Sequence, residues 1–89
     1  MYADPFKDSA NSLIGPSSDC FTISPSDTQD LNKATKAIYV GSGGDVVVRP
    51  IGSGSDVTFR NVIGGSILDV RVRAVRETGT TAFDIVGMA

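Results

Sequence analysis

The sequence predicts an all-β domain, a small antiparallel β-sandwich or barrel of five to six or more short strands behind an extended N-terminal arm. Three observations carry that prediction. Apolar residues alternate with polar ones at a period of two through much of 36–86, the pattern of a half-buried strand. The runs are rich in Val, Ile and Phe and recur roughly every 10 residues, a spacing typical of sandwiches and barrels. Between them lie glycine-rich breaks, GSGG at 41–44, GSGS at 52–55 and GG at 64–65, and glycine supplies the φ values that turns require. No stretch places apolar residues at helical spacing. Residues 1–18 read as the arm and 19–89 as the single β domain.

Along the arm only Phe6, Leu13 and Ile14 stand out as apolar points among polar residues broken by Pro5, Gly15 and Pro16. Such a tail suits docking on a neighbouring subunit through those three side chains. CFTI at 20–23 is a short strand closed by Ser24-Pro25. Cys20, beside Phe21, is read as a small core residue. Ser26 to Gln29 has the form of a capping box with Ser26 as cap, but no amphipathic run follows, so a redirecting turn is expected. KAIYV at 36–40 is a strand with Ile38 and Val40 on one face and Tyr39 on the other. The glycine loop after it signals a hairpin into the 45–49 strand, where Val46 and Val48 point inward and Pro50 ends the ladder.

The second glycine loop nearly copies the first, GSGGDV against GSGSDV. The strand that follows turns Val57 and Phe59 inward, with Val62 completing its apolar set. Gly64-Gly65 makes a tight turn. Residues 67–75 read as the longest strand, with Leu68, Val70, Val72 and Ala74 alternating with Asp69, Arg71 and Arg73. Val75 breaks the alternation and predicts a bulge there. Glu77-Thr78-Gly79 fits a three-residue turn with Gly79 left-handed, and 80–86 closes the domain with Phe83 and Ile85 inward.

Composition bounds the chemistry. The 89 residues make one domain that buries a thin core. Such a domain usually leans on a disulfide, a metal or self-association. Cys20 is the one cysteine and there is no histidine, which removes an internal disulfide and a structural zinc site. Self-association is left. A net charge of -2 argues against nucleic acid, whose non-specific binding rests on clustered cations. No apolar run is long enough for a membrane helix, and the acidic, proline-containing start is unlike a signal peptide. A lone cysteine fits synthesis in a reducing cytoplasm.

Without histidine no Ser-His-Asp or Cys-His arrangement exists, so the chain reads as a non-enzyme with no cofactor. The glycine loops lack the GK[ST] ending of a phosphate loop, and no calcium-loop pattern is present. Asp45 and Asp56, which each open a strand, are expected to bond amides within their own turns. Arg71, Arg73 and Arg76, with Arg60 nearby, form the basic cluster. Two readings stand beside each other: a solvated face paired with Asp69, Glu77 or Asp84, or a charged interface toward a partner.

SPSDT at 24–28, YVG-x-x-GD at 39–45, VTF-x-NV at 57–62, GG-x-IL at 64–68, the basic strand VRVRAV at 70–75 and TGTTA at 78–82 follow one another in order. In these motifs, over roughly 4–86, the chain resembles the small head-spike-base, or capsid-vertex, proteins of tailed phages, prophages and gene transfer agents. Asp69 departs from the pattern, where proline would follow Ile-Leu. The resemblance implies a structural virion protein, an oligomeric base of the head spike or fibre, made in the host bacterial cytoplasm and carried on the capsid surface. The implied partners are further copies of itself, as a pentamer or alternatively a trimer, the major capsid protein, and a spike or fibre protein. The candidate interface residues are Phe6, Leu13, Ile14, Arg71, Arg73 and Arg76. The alternative is a capsid cement, or decoration, protein clamping neighbouring capsid subunits. A sugar-binding module is disfavoured, because it needs aromatic platforms and the chain has no Trp.

Overall fold

A computed structural model describes residues 17–89 and shows seven strands in two antiparallel sheets: β1 (Cys20–Thr22), β2 (Ala37–Ser42), β3 (Gly44–Pro50), β4 (Val57–Val62), β5 (Ser66–Leu68), β6 (Val72–Arg76) and β7 (Phe83–Met88). The first sheet has the order β1-β7-β2-β5 and the second β4-β3-β6. The all-β prediction holds, and the architecture is a sandwich. Phe6, Leu13 and Ile14 lie outside the described residues.

The period-two pattern places the core. Ile38 and Val40 of β2, Ile85 of β7, Val46 and Val48 of β3, and Val72 and Val75 of β6 are buried between the sheets with Ile23 and Ala82. β-Branched side chains suit this pleated, close-packed layer because their restricted χ1 loses little freedom there. Phe21, Phe59, Val62, Leu68 and Val70 pack on the margin of this core, partly buried. Three inward assignments fail. Cys20 is exposed, because it lies on the outer row of its sheet opposite Met88. Val57 is 40% exposed at the start of the edge strand β4, and Phe83 is 62% exposed. Asp84, next to Phe83, has φ of 57°, which interrupts the regular alternation of β7.

The glycine breaks bend the chain where expected, but most do not make hairpins. Among the described residues only β3 and β4 are consecutive strands that also pair. The breaks at 41–44, 64–65 and 77–79 each carry the chain from one sheet to the other. The positive φ expected in these turns is found at Gly65 (86°) and Gly79 (90°). At Gly43 the crossing between β2 and β3 packs directly on the backbone of the next crossing: a Cβ there would sit 2.5 Å from the Val62 carbonyl oxygen.

The stretch expected as one long strand is two. β5 ends at Leu68, Val70 N–H donates to the Leu68 carbonyl at 2.9 Å in a tight turn, and the chain resumes as β6 in the other sheet. The polar alternation survives this switch because Val70 still faces the core margin while Asp69 and Arg71 face solvent. Strands that change sheets at a bend form the corners of a sandwich. The register shift on β6 falls between Val72 and Ala74, opposite Pro50 and Arg49, so the extra residue is Arg73 and not Val75.

The connection from Ile23 to Ala37 closes an edge. Ser26 N, Leu31 N and Thr35 N donate to the Val75, Arg73 and Val72 carbonyls at 2.9, 2.8 and 3.0 Å. The free side of β6 is thereby paired, one of the ways proteins blunt a sheet edge. Ser26 does act as a cap, its hydroxyl accepting from Thr28 N and Gln29 N at 3.3 and 3.2 Å, and the turn it stabilises redirects the chain as expected.

Candidate interface

The arginine cluster resolves into a braced network, with Arg71 outside it among the described residues. Arg49 Nε lies 2.8 Å from Asp56 Oδ1, and Arg76 Nε shares that oxygen at 3.4 Å. Arg76 also reaches Asp30 at 3.8 Å, and Arg73 reaches Asp30 at 3.7 Å. The hydrogen bond from Arg49 leads the causes that hold the Asp56 carboxyl below its ordinary pKa, with Arg76 adding to it. Arg76 is only 13% exposed between its two carboxylates; it ties β6 to the 26–35 connection and to the start of β4. Asp69, Glu77 and Asp84, the partners expected from the sequence, take no part among the described residues. Asp30 and Asp56 do, because the covering connection and the β3–β4 loop bring them there. Arg60 leaves the cluster altogether and pairs with Asp45 at 3.3 Å.

Asp45 and Asp56 are therefore not confined to their own turns. Asp45 Oδ1 accepts from Asn61 N across the ladder at 3.0 Å, where Asn61 has φ of 57°. Of the expected interface arginines, Arg71 makes no ion pair among the described residues and is exposed, Arg73 is half-committed, and Arg76 is structural. Exposed pairs of this kind are worth about 0–1 kcal/mol each, so Arg73 is held loosely enough to exchange partners.

The outer faces of the two sheets differ in kind. On the β4-β3-β6 sheet the outward positions include Arg49 and Arg76, carried beside Thr58 and Val47. On the β1-β7-β2-β5 sheet two rows carry no charge, and the exposed Asp84 of β7 borders them. Burial of Ile38 and Val40 turns Tyr39 outward, and the register then aligns Thr22, Val86, Tyr39 and Ile67 across all four strands. Cys20, Met88 and Ala37 form the next row. Ile67 is 61% exposed, and Ile63, in the turn leading to β5, is 77% exposed. Tyr39, Ile63 and Ile67 thus leave exposed apolar side chains on and beside this sheet, the kind of surface that suits a contact. Sequence reading missed it because it depends on which strands become neighbours, although a local trace exists: outward positions on β2, β5 and β7 include Tyr39, Ile67 and Val86, with Asp84 the charged exception, where β3, β4 and β6 place arginines.

Among the described residues no three or more Cys, Asp or Glu side chains are grouped so as to hold a metal ion.

A chain of a solved structure, the capsid of a native GTA (gene transfer agent) particle computed with C5 symmetry, matches this one at a TM-score of 0.84 and 40% sequence identity. The match covers 98% of this chain and 100% of that chain. No protein-family model and no curated protein matches the sequence.

Proposed function

The chain belongs to the same family as this gene transfer agent capsid chain, and on that premise we propose that it is a structural component of a phage-like particle, the oligomeric base of a head spike or fibre at a capsid vertex. The observation that carries the proposal is the end-to-end match at 40% identity, which spans the whole relative and not a shared module. The order of the SPSDT, YVG-x-x-GD and TGTTA motifs supports the spike-base assignment.

Two features suit a ring at a vertex. An icosahedral vertex is a fivefold axis, and the relative's particle was computed with C5 symmetry. The face through Tyr39 and Ile67 offers apolar surface for a seam between subunits, while exposed Arg71 and Arg73 offer charge to the shell. In this reading the partners are four further copies, the major capsid protein beneath and a spike or fibre protein above. The protein is made in the bacterial cytoplasm and ends on the capsid surface, with a role that is structural and not catalytic.

Light scattering on the purified chain at several concentrations tests the ring, and a pentamer is the expected result. A trimer would instead place the chain among capsid cement proteins. Absence of the protein from purified particles, measured by quantitative mass spectrometry against the major capsid protein, would overturn both structural roles.

A further inference from the structure

A groove of about 430 Å³ runs beside β1. Phe21, Thr22 and Ile23 line one wall, and the 29–33 stretch of the long connection, centred on Leu31, lines the other. Lys33 Nζ reaches across it to Asp19 Oδ2 at 2.8 Å. Phe21, Ile23 and Leu31 belong to the core or pack on it, so the floor is apolar.

Among the described residues the β1 backbone beside this groove is an open strand edge. Asp19 and Ala89 exchange both backbone bonds, at 3.1 and 2.7 Å, and Ile23 N donates to the Ile85 carbonyl at 2.9 Å. Antiparallel alternation then turns Asp19, Phe21 and Ile23 toward β7 and points the N–H and C=O groups of Cys20 and Thr22 the other way. Among the described residues β1 pairs with β7 alone. An unpaired edge above apolar side chains accepts an extended peptide by strand addition: backbone bonds supply affinity and alternate side chains supply specificity.

Residues 1–16 join the described chain two residues before Asp19, at the mouth of this groove. They carry the adjacent Leu13 and Ile14 and, further out, Phe6. Extended at about 3.3–3.6 Å per residue, they outreach the 41 Å longest dimension of the domain. The amides of Ser18 and Asp19 both bond the Ala89 carbonyl, at 3.0 and 3.1 Å, so the chain arrives in line with β1 on its β7 side. To enter its own groove the segment would have to turn back immediately before Ser18 and cross to the other side of β1; a segment from another copy is free of that connection.

We propose that residues 1–16 of one copy lie along the free edge of β1 in the neighbouring copy, adding a strand to that sheet and seating one of the Leu13–Ile14 pair over Phe21, Ile23 and Leu31. Only one of the two enters, because adjacent side chains in a strand face opposite ways. A head-to-tail contact of this type, repeated, closes into a ring; to that extent the inference rests on the ring proposed above.

Cys20 is exposed and is the chain's one cysteine, which makes it the probe. A residue opposite it in an added strand has its Cβ about 4.5–5.5 Å away, close to disulfide reach. A second cysteine is placed singly at each position from 8 to 14 of the full chain, Ser12→Cys among them, and the proteins are oxidised. The expected result is a ladder of disulfide-linked copies at one or two positions, lost when Cys20→Ser is added. Thr22→Pro should also abolish it while thermal unfolding shows the fold retained, since that N–H is not used by β7. A disulfide within single chains would overturn exchange between copies, and no disulfide at any position would overturn strand addition. A pentamer by light scattering together with either of those results would leave the ring standing and remove only the arm exchange.

Discussion

Thr35 is the polar residue sealed in the interior among the described residues, fully buried. Its backbone amide donates to the Val72 carbonyl at 3.0 Å and its hydroxyl accepts from Val72 N at 3.1 Å, so backbone and side chain of one residue together pair both backbone groups of Val72. Thr35→Val keeps the shape and removes the acceptor. An orphaned buried amide costs about 1–3 kcal/mol, and chemical denaturation should show that loss, with Thr35→Ser retaining most of the stability. Asp27 fixes the other end of the connection. It accepts the Thr78 hydroxyl at 2.6 Å and the amides of Thr78 and Glu77 at 2.9 and 3.1 Å. These bonds, the Thr78 hydroxyl first, hold its carboxyl below the ordinary value of 3.8, as the Arg49 bond does for Asp56. A lowered folded pKa gives stability that is fully present above the unfolded value and lost as pH falls through the folded one. Stability should therefore be level from neutral pH to about 5 and decline below about 4. In denaturation series across that range, Asp27→Asn should show a shallower acid decline than the natural chain.

At the scale of elements, the crossings between sheets are the exacting parts. A Cβ at Gly43 would meet backbone atoms, the Val62 carbonyl oxygen at 2.5 Å and Gly64 N at 2.9 Å, and neither can rotate away. Gly43→Ala should cost about 1–3 kcal/mol, the usual range for forced overpacking. Gly52 lies in the β3–β4 hairpin with nothing within 4 Å of its would-be Cβ. Gly52→Ala should be neutral or stabilising by up to about 1 kcal/mol, because alanine narrows the unfolded ensemble. Thermal melts of the two variants side by side make the comparison. The GSGG and GSGS loops look alike in sequence, yet one joins sheets and the other joins neighbouring strands.

For the whole molecule, the two sheet faces divide the work. The charged face is braced by Asp30 and Asp56, and the face through Tyr39 and Ile67 presents exposed apolar side chains. Ile67→Lys should change the stability of the isolated chain by no more than about 0.5 kcal/mol, as surface substitutions do. If that face is a subunit seam, the same variant should weaken association about tenfold or more, a loss of at least about 1.4 kcal/mol. Light scattering with and without the substitution, beside a thermal melt, separates the two effects. Unchanged assembly with Ile67→Lys would move the seam to another surface.

The sequence by itself determined the class of the fold, most of the core and the places where the chain bends. Ile38, Val40, Val46, Val48, Val72 and Ile85 are inward because alternation is a local property of each strand, written in consecutive residues. It also placed Arg71 and Arg73 at the surface. Tertiary structure alone decided which strands pair, and with that the partners Asp30 and Asp56, the cover over β6, the division of 67–75 between two sheets, and the apolar outer face. These depend on residues far apart in the chain meeting across a sheet. A glycine turn records only that the backbone bends; whether the next strand lies beside the last or opposite it is settled by how the whole set of apolar faces is buried at once.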